Sequence, residues 1–255
     1  MSAQAAFTRP AADDGRGALV TVVAGEPLGA KLLVGADGSR EGTLGSDAAD
    51  AAALAAAEEL MWADRSELVE HDDLSLFVDV TAPAPRLIVF GAVDYSASLA
   101  RLARAAGWRS FVCDPRSQFA TPERFPDADQ VIAAWPEDAF RSLGGIDPAT
   151  YIAVLTHDPK LDDAALTIAL GSEAAYVGAM GSRRAQEHRR ARLLEAGFDV
   201  ELLDRLAAPT GLDLGAVSPE ETALSIMAEV VAVRNGRDGG RLSHKRGGRI
   251  HEVGA

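Results

Sequence analysis

The feature that most constrains the fold of this 255-residue chain is an alternation, from residue 86 onward, of short apolar runs with helical patterns. Apolar runs of four or five residues are typical of parallel strands that are buried on both faces of a sheet. Strands that alternate with helices predict an α/β fold, a Rossmann-like doubly wound parallel sheet with ligands outside the carboxyl ends of its strands. The predicted strands are residues 86–90, 110–113, 130–133, 151–155 and 175–179, and the predicted helices are residues 96–106, 137–143, 162–170, 183–196 and a last one that Ser218 opens and that runs through Val233.

The N-terminal third has a different pattern and predicts a smaller α/β domain. Strand-like apolar runs occur at residues 19–23, 31–34 and 74–80. Between the second and third runs, residues 47–63 are rich in alanine and carry their larger apolar side chains on one side, which predicts a helix. This pattern describes a small sheet with one helix.

The best candidate linker is the proline-rich segment at residues 82–85, because two prolines in four residues cannot continue a helix or a central strand. We therefore expect an N-terminal domain at residues 1–84 and a Rossmann-like domain at residues 85–236. Residues 237–255 are rich in Gly, Arg and Lys without an apolar period, which predicts a flexible basic tail.

Charge and cysteine content exclude several classes of protein. The chain has 25 Lys and Arg against 38 Asp and Glu, a net charge of −13, which disfavours a general partner of nucleic acid or of anionic membranes. The one cysteine, Cys113, cannot form an internal disulfide or a cysteine-rich metal site, and it lies in an apolar run that predicts an inert, packed thiol. No apolar stretch is long enough to span a membrane. We expect a cytoplasmic protein.

The first candidate site is the turn that follows the strand at residues 86–90. Gly91 and Ala92 stand where a dinucleotide-binding fold places its phosphate-binding turn, and Asp114 follows the next strand at the spacing of a carboxylate that binds ribose hydroxyls. Val93 occupies the position of the second glycine, and its branched side chain would crowd a pyrophosphate. Two interpretations stay open: a nucleotide site, or a turn that no longer binds a dinucleotide.

The strongest chemical signal is the turn Gly181-Ser182-Arg183-Arg184 after the last predicted strand. A glycine turn with Ser182 as N-cap would direct free backbone N–H groups and the positive end of a helix dipole at one point, which predicts an anion site. Arginines at a helix N-terminus oppose the dipole, so Arg183 and Arg184 favour an anionic ligand there. Further along the same helix, residues 189–192 carry three more arginines, which fit a solvated face that pairs with the surplus carboxylates.

A third candidate segment is Thr156-His157-Asp158, at the end of the strand at residues 151–155. His157 and Asp158 would lie at the carboxyl edge, where a histidine binds a ligand, transfers a proton or only caps a turn. No second histidine or cysteine lies nearby, so we predict no metal site. The simplest role of Asp162 is an N-cap, and Ser218 with Glu221 forms a capping box.

In these segments the chain resembles the XdhC/CoxI family of accessory proteins for molybdenum hydroxylases such as xanthine and carbon monoxide dehydrogenases. The Thr-His-Asp and Gly-Ser-Arg-Arg segments, in this order and spacing, are its most specific elements. The resemblance rests on GAKLLV at residues 29–34, DG at 37–38, GTLG at 42–45, LIVFGA at 87–92, DPR at 114–116, FATPERF at 119–125, LTHD at 155–158, GAMGSRR at 178–184, PTGLDLGA at 209–216 and PEE at 219–221.

The resemblance implies a chaperone that binds the molybdenum cofactor, a molybdopterin bearing a phosphate or a nucleotide. Such a chaperone assists sulfuration of the cofactor with a cysteine desulfurase and delivers it to the apo-molybdenum hydroxylase. On this interpretation the residues 181–184 would hold phosphate, while His157 and Asp158 would face the pterin edge. It implies a binding protein without catalytic residues, and it leaves a homodimer open.

Two rival interpretations stay open. An NAD(P)-dependent oxidoreductase would use Gly91 and Asp114 for the dinucleotide and His157 as its acid, but it lacks a nearby lysine or tyrosine for a proton relay. A degenerate family member would serve only as a binding scaffold. That alternative rests on Val93 and Ser46. Where this chain has Val93, members of the family often carry the second glycine of the turn. Where it has Ser46, they often carry a glycine run that is followed by a cysteine.

Overall fold

The computed structural model describes residues 15–244 together with Ala3 and Phe7, so the end of the predicted tail, residues 245–255, lies outside the described residues. The chain divides into two compact units, the first ending at Pro83 and the second beginning at Ala84. Residues 82–85, the predicted linker, have no regular secondary structure. In the described part of the tail, Leu242–His244 form one 3-10 turn.

The first unit is a five-stranded antiparallel sheet in the order β3-β2-β1-β5-β4, with one helix against one of its faces. Alternate side chains of the strands, such as Val20 and Val78, point toward this helix and meet its alanines and Leu60 in a buried core. The elements are β1 (Gly17–Ala24), β2 (Lys31–Gly35), β3 (Arg40–Thr43), α1 (Asp47–Ala63), β4 (Glu67–His71) and β5 (Leu74–Thr81).

The second unit is a six-stranded parallel sheet in the order β11-β10-β9-β6-β7-β8. Strands β6, β7 and β8 follow one another toward one edge of the sheet, and β9, β10 and β11 follow one another toward the other edge. This is the Rossmann strand order. Its topological switch point, where ligands bind in such sheets, lies between β6 and β9. The elements are β6 (Arg86–Phe90), α2 (Asp94–Ala105), β7 (Arg109–Cys113), β8 (Gln130–Ile132), α3 (Pro136–Ser142), β9 (Thr150–Val154), α4 (Pro159–Leu170), β10 (Tyr176–Ala179), α5 (Arg183–Glu195), α6 (Val200–Asp204), β11 (Leu206–Ala207) and α7 (Pro219–Arg234).

Helices cover both faces of this sheet. Ile88 and Phe90 of β6 pack on one side, in a core with α3, α4 and α5. Leu87 and Val89 pack on the other side, in a core with α2 and α7. Strands whose successive residues are all buried explain the unbroken apolar runs in the sequence, and the predicted doubly wound fold is confirmed.

The structure corrects several details of the predicted elements. Asp162 is not an N-cap, because α4 begins one turn earlier at Pro159 and the side chain of Asp158 accepts the N–H of Lys160 instead. The predicted capping box of α7 is present, with Ser218 and Glu221 bonded reciprocally. Among the described residues, four strands or α-helices were missed: β3, β4, α6 and β11. Within the described part of the chain, no helix is long and apolar enough to cross a membrane.

Candidate functional site

Every residue that the sequence singled out for binding lies at the carboxyl edge of the parallel sheet. Gly91 and Ala92 follow β6, and Asp114 follows β7. The segment with His157 and Asp158 follows β9, and residues 181–184 follow β10 at the start of α5. Because β10, β9, β6 and β7 are neighbours in this order, the four loops form one continuous row across the switch point.

The first turn requires glycine for two reasons. Gly91 has a φ of +116°, which L-residues rarely adopt. A Cβ atom at this position would lie 3.1 Å from the methyl carbon of Thr156 and 3.2 Å from its backbone nitrogen. The turn after β6 therefore packs directly against the loop after β9, and the two candidate segments are in contact.

Asp114 is fully buried, and protein groups already occupy its carboxylate. One oxygen accepts the N–H of Ala92 at 2.8 Å and an Nη2 donor of Arg116 at 2.7 Å, and the other accepts both the backbone N–H and the Nε of Arg116. Burial acts to raise the pKa of Asp114, but these hydrogen bonds outweigh it and hold the pKa below its ordinary value. The Ala92 N–H and the Asp114 carboxylate, which were expected to bind a dinucleotide, are thus hydrogen-bonded to each other.

The start of α2 is also poorly suited to a phosphate group. Val93 is its N-cap and makes no side-chain hydrogen bond to the helix. The next residue, Asp94, is exposed, and its negative charge stands in the first turn, where a pyrophosphate would bind. These features add to the steric obstruction of a pyrophosphate that the sequence predicted for Val93.

Sequence reasoning missed Arg116 and Arg124, which border this first turn. Arg116 is held by Asp114, and Arg124 donates to the carbonyl oxygens of Ala92 and Phe119 at 3.2 and 3.1 Å. Both guanidinium groups lie over the ring of Phe119, 5.0 and 5.7 Å from its centroid. The spacing Asp-x-Arg after a strand was the available signal, since a carboxylate and an arginine two residues apart in a loop can close a ring of hydrogen bonds.

The segment Thr156-His157-Asp158 in the loop after β9 has one buried and two exposed residues. His157 and Asp158 are exposed, whereas Thr156 is buried. The Thr156 hydroxyl donates to Asp162 at 2.9 Å and accepts the N–H of Asp158 at 2.8 Å. Thr156 therefore fixes the backbone from which His157 projects toward solvent.

Residues 181–184 adopt the geometry of an open helix N-terminus. Ser182 is the N-cap of α5 and accepts the N–H of Ala185 at 3.3 Å, as predicted. Arg183 and Arg184 are exposed, and among the described residues neither side chain has a hydrogen-bond or ion-pair partner. Two unpaired guanidinium groups thus stand on the first turn, beside backbone N–H groups that a helix leaves without acceptors.

The other three arginines of α5 all pair with aspartates, as the charge surplus indicated. Arg190 binds Asp204, and Arg192 makes a bidentate pair with Asp163. Arg189 differs from the expectation of a solvated face, because it is buried and binds Asp162, with 2.8 Å between Nη2 and Oδ2. Helix periodicity explains the correction: Arg189 shares the inward face of α5 with Gln186 and Leu193, three and four residues away.

Neither a reactive thiol nor a cluster of metal ligands is found at this edge among the described residues. Cys113 is fully buried in β7, and burial raises the pKa of its thiol to about 12, so the thiol is unreactive at neutral pH. Within the described residues, no three His, Cys, Asp or Glu side chains are grouped so as to hold a metal ion.

Two family models match the chain. Residues 87–230 match the XdhC Rossmann domain, and residues 11–72 match the XdhC and CoxI family. The chain belongs to the XdhC/CoxI family. The Rossmann match of this XdhC/CoxI protein contains the whole row of site loops, and the resemblance seen in its motifs is confirmed.

Three curated proteins are similar to large parts of the chain. It is 33% identical over 160 residues to a probable xanthine dehydrogenase subunit of Bacillus subtilis, covering 63% of this chain and 46% of that protein. It is 29% identical over 152 residues to the molybdenum cofactor insertion chaperone PaoD of Escherichia coli, covering 60% and 41%. The uncharacterized protein YqeB of Escherichia coli is 30% identical over 236 residues, covering 86% and 43%.

A solved structure supports the same fold. The crystal structure of a xanthine dehydrogenase from Bacillus halodurans aligns with a TM-score of 0.62 at 25% sequence identity, over 88% of this chain and 64% of that chain. The chain spans less than half the length of the three curated relatives.

Proposed function

We propose that this chain binds the molybdenum cofactor as cargo at the carboxyl edge of its Rossmann sheet and passes it to a molybdenum hydroxylase. The observation that carries the proposal is the contrast within α5. Three of its arginines pair with aspartates, whereas Arg183 and Arg184 stay unpaired among the described residues of a chain with a net charge of −13. Two free arginines on the first turn of a helix oppose the helix dipole, and an anion bound there would offset that cost.

The phosphate of a molybdopterin fits this end of the sheet. The first turn of α5 offers backbone N–H groups and the positive end of the helix dipole, and Arg183 and Arg184 add two charged donors. Ser182 and Gly181 would hold the turn open, since Gly181 has a φ of +136° and carries no side chain to obstruct an anion. These four residues would bind the phosphate.

His157 and Asp158 would face the pterin end of the same ligand. Their loop lies between the α5 turn and the Gly91 turn, and both side chains are exposed. An imidazole and a carboxylate supply the donor and the acceptor that a pterin edge requires. Gly91, Ala92 and Asp114 would support the site: Asp114 is too enclosed to meet a ligand directly and would act through Arg116, which remains partly exposed.

The family and its relatives support delivery to a client enzyme. One relative is named as a molybdenum cofactor insertion chaperone and another as a probable xanthine dehydrogenase subunit. We extend the insertion role to this chain, with an apo-molybdenum hydroxylase as client and a cysteine desulfurase as the partner that supplies sulfur. The chain's own residues bind and orient the cofactor, and the sulfur chemistry belongs to the desulfurase.

Co-purification tests the proposal. The protein is produced in cells that make the molybdenum cofactor, purified without oxygen and oxidised, and the fluorescence of the released pterin is measured. We expect pterin in amounts comparable to the protein, and much less with the Arg183→Ala/Arg184→Ala variant. Wild-type protein without pterin, purified from cells whose other molybdenum enzymes are loaded, would favour the scaffold interpretation.

The oxidoreductase alternative loses support from the first turn. A dinucleotide there needs the N–H of Ala92 and the carboxylate of Asp114, and these two groups are bonded to each other at 2.8 Å. Asp94 adds a negative charge at the helix start that a pyrophosphate would meet. Val93, Ala92 and Asp94 together disfavour NAD(P) at this position.

A further inference from the structure

A buried ion pair lies beneath the candidate site, between α4 and α5. Arg189 and Asp162 are both nearly inaccessible to solvent, and Nη2 of the arginine lies 2.8 Å from Oδ2 of the aspartate. Removing two charges from water costs more free energy than an isolated pair usually returns. The Nε of Arg189 is also buried and has no hydrogen-bond partner among the described residues, which adds to that cost. Stability alone is therefore a poor explanation for this pair.

The aspartate end of the pair holds the loop after β9. Oδ1 of Asp162 accepts the hydroxyl of Thr156 at 2.9 Å, and that hydroxyl oxygen accepts the N–H of Asp158 at 2.8 Å. The methyl group of Thr156 packs against the Gly91 turn. Asp162 thus sets the position of the segment that carries His157.

The arginine end holds the turn that precedes the two free arginines. Arg189 donates to the side-chain oxygen of Gln186 and to the carbonyl oxygen of Met180, the latter at 3.2 Å. The amide nitrogen of Gln186 in turn donates to the carbonyl oxygens of Ala179 and Gly181, at 3.2 and 3.3 Å. Apart from the Gln186 side chain, these acceptors are all backbone carbonyl oxygens. They belong to the end of β10 and to the turn that leads into α5.

We propose that Arg189 and Asp162 are positioning residues, which fix the loop of His157 and the turn of Arg183 relative to each other so that one ligand contacts both. The proposal deepens the proposed function and rests on it. The ion pair joins the two halves of a chain of hydrogen bonds that runs from Asp158 through Thr156 to Gly181. Such a network rigidifies the segments it joins.

The chain supplies a matched control on the same two helices. Arg192 and Asp163 also join α5 to α4, through two hydrogen bonds of 2.8 and 2.9 Å. This pair is about one-third exposed, and its hydrogen bonds reach neither site segment. Removing it changes the same charges on the same helices without touching the loops.

Amide hydrogen exchange tests the positioning without any ligand. The N–H groups of Asp158 and Ala185 report on the two segments, and each is read by NMR in the full-length protein. Asp162→Asn/Arg189→Met removes both charges together, which avoids a lone buried charge. We expect exchange at both amides to rise by about tenfold or more in this variant, and to stay unchanged in Asp163→Asn/Arg192→Met. Equal effects of the two double variants, or no effect of either, would overturn the proposal.

Binding of isolated molybdopterin separates a positioning role from a general structural one. Asp162→Asn/Arg189→Met, shown to be folded by its melting transition, should bind about tenfold more weakly than the control variant. Adding Arg183→Ala to it should then cost much less affinity than the same substitution costs in the wild type, because the arginine no longer stands opposite a fixed loop. The proposal would be contradicted if Asp162→Asn/Arg189→Met bound molybdopterin as tightly as the control variant and if Arg183→Ala cost the same affinity in both backgrounds.

Binding and amide exchange together distinguish the positioning role from the proposed function. Wild-type protein that binds no molybdopterin refutes the proposed function, and the exchange rates still decide whether the ion pair fixes both segments. Wild-type binding with unchanged affinity in Asp162→Asn/Arg189→Met refutes the positioning role and leaves the proposed function standing.

Discussion

Asp114 and Arg116 form a bidentate ion pair at the carboxyl end of β7, in which Nε lies 2.8 Å from one carboxylate oxygen and Nη2 lies 2.7 Å from the other. The same carboxylate accepts the N–H of Ala92. A residue placed for ribose binding in the sequence thus joins two loops of the protein. These contacts fix the loops after β6 and β7 to each other, and we expect a ligand to bind mainly at the loops after β9 and β10.

The first prediction concerns the pH dependence of stability. The folded-state pKa of Asp114 is lowered, so its contribution is fully present above the unfolded value of about 3.9 and is lost as the pH falls through the lowered folded value. Asp114→Asn should therefore reduce the free energy of unfolding by about 2 kcal/mol at pH 7. Urea denaturation measures this difference, which should shrink below about pH 4. A difference of equal size at pH 7 and pH 3 would contradict this role for the carboxylate.

The second prediction concerns dinucleotides. The wild type should bind NAD and NADP no more tightly than about 1 mM, and Val93→Gly should not improve this, because the Ala92 N–H and the Asp114 carboxylate remain engaged. Isothermal titration calorimetry gives both affinities. Tight binding by the unmodified protein, together with hydride transfer to a carbonyl compound, would make the oxidoreductase interpretation the better one.

The third prediction concerns Gly91. Gly91→Ala should lower the free energy of unfolding by about 2 to 4 kcal/mol, because it adds a disfavoured backbone conformation and a Cβ contact of 3.1 Å with Thr156. Gly107→Ala is the control, since Gly107 also has a positive φ but has no atom within 4 Å of an added Cβ. It should cost about 1 to 2 kcal/mol. Equal losses would mean that the close approach to Thr156 has no energetic weight.

Much of the fold was predictable from apolar periodicity, because a buried strand or a half-buried helix needs a regular pattern. The helix α1 has the predicted bounds, Asp47–Ala63, and the first five strands of the parallel sheet, β6 to β10, were all predicted. The missed elements are β3 and β4, polar edge strands, and α6 and β11, which are very short. Whether such segments become strands or helices depends on the elements that they pair with or pack against in the fold. Local sequence patterns do not show these tertiary contacts.

The site was only partly predictable for the same reason. The anion-type turn was visible because Ser182, Arg183 and Arg184 are consecutive. The role of Arg189 depends on Asp162, which is 27 residues away on another helix. A short-range pattern therefore indicated a solvated face for Arg189 and an N-cap for Asp162, and both interpretations were wrong.

The fourth prediction concerns domain autonomy. A fragment from Pro85 to Gly236 contains the whole parallel sheet and the helices on both of its faces. It should unfold in one cooperative transition, because its core is complete without the first unit. Differential scanning calorimetry distinguishes this outcome from a broad, non-cooperative melt, which would show that residues 1–84 are required.

We propose that Arg183 and Arg184 bind the phosphate of the molybdenum cofactor. Arg190→Ala is the matched control, because it removes the same charge from the same helix at a residue that already pairs with Asp204. Each charge-assisted contact to a ligand is worth about 1.5 to 3 kcal/mol, which corresponds to roughly tenfold to a hundredfold in affinity.

The most direct measurement is the dissociation constant of isolated molybdopterin for the wild type, Arg183→Ala and Arg190→Ala, determined without oxygen by the same titration. We expect Arg183→Ala to weaken binding by roughly tenfold to a hundredfold at an unchanged melting temperature, and Arg190→Ala to leave the affinity within about twofold. Equal weakening by the two substitutions, or a lower melting temperature with unchanged binding in Arg183→Ala, would contradict the claim.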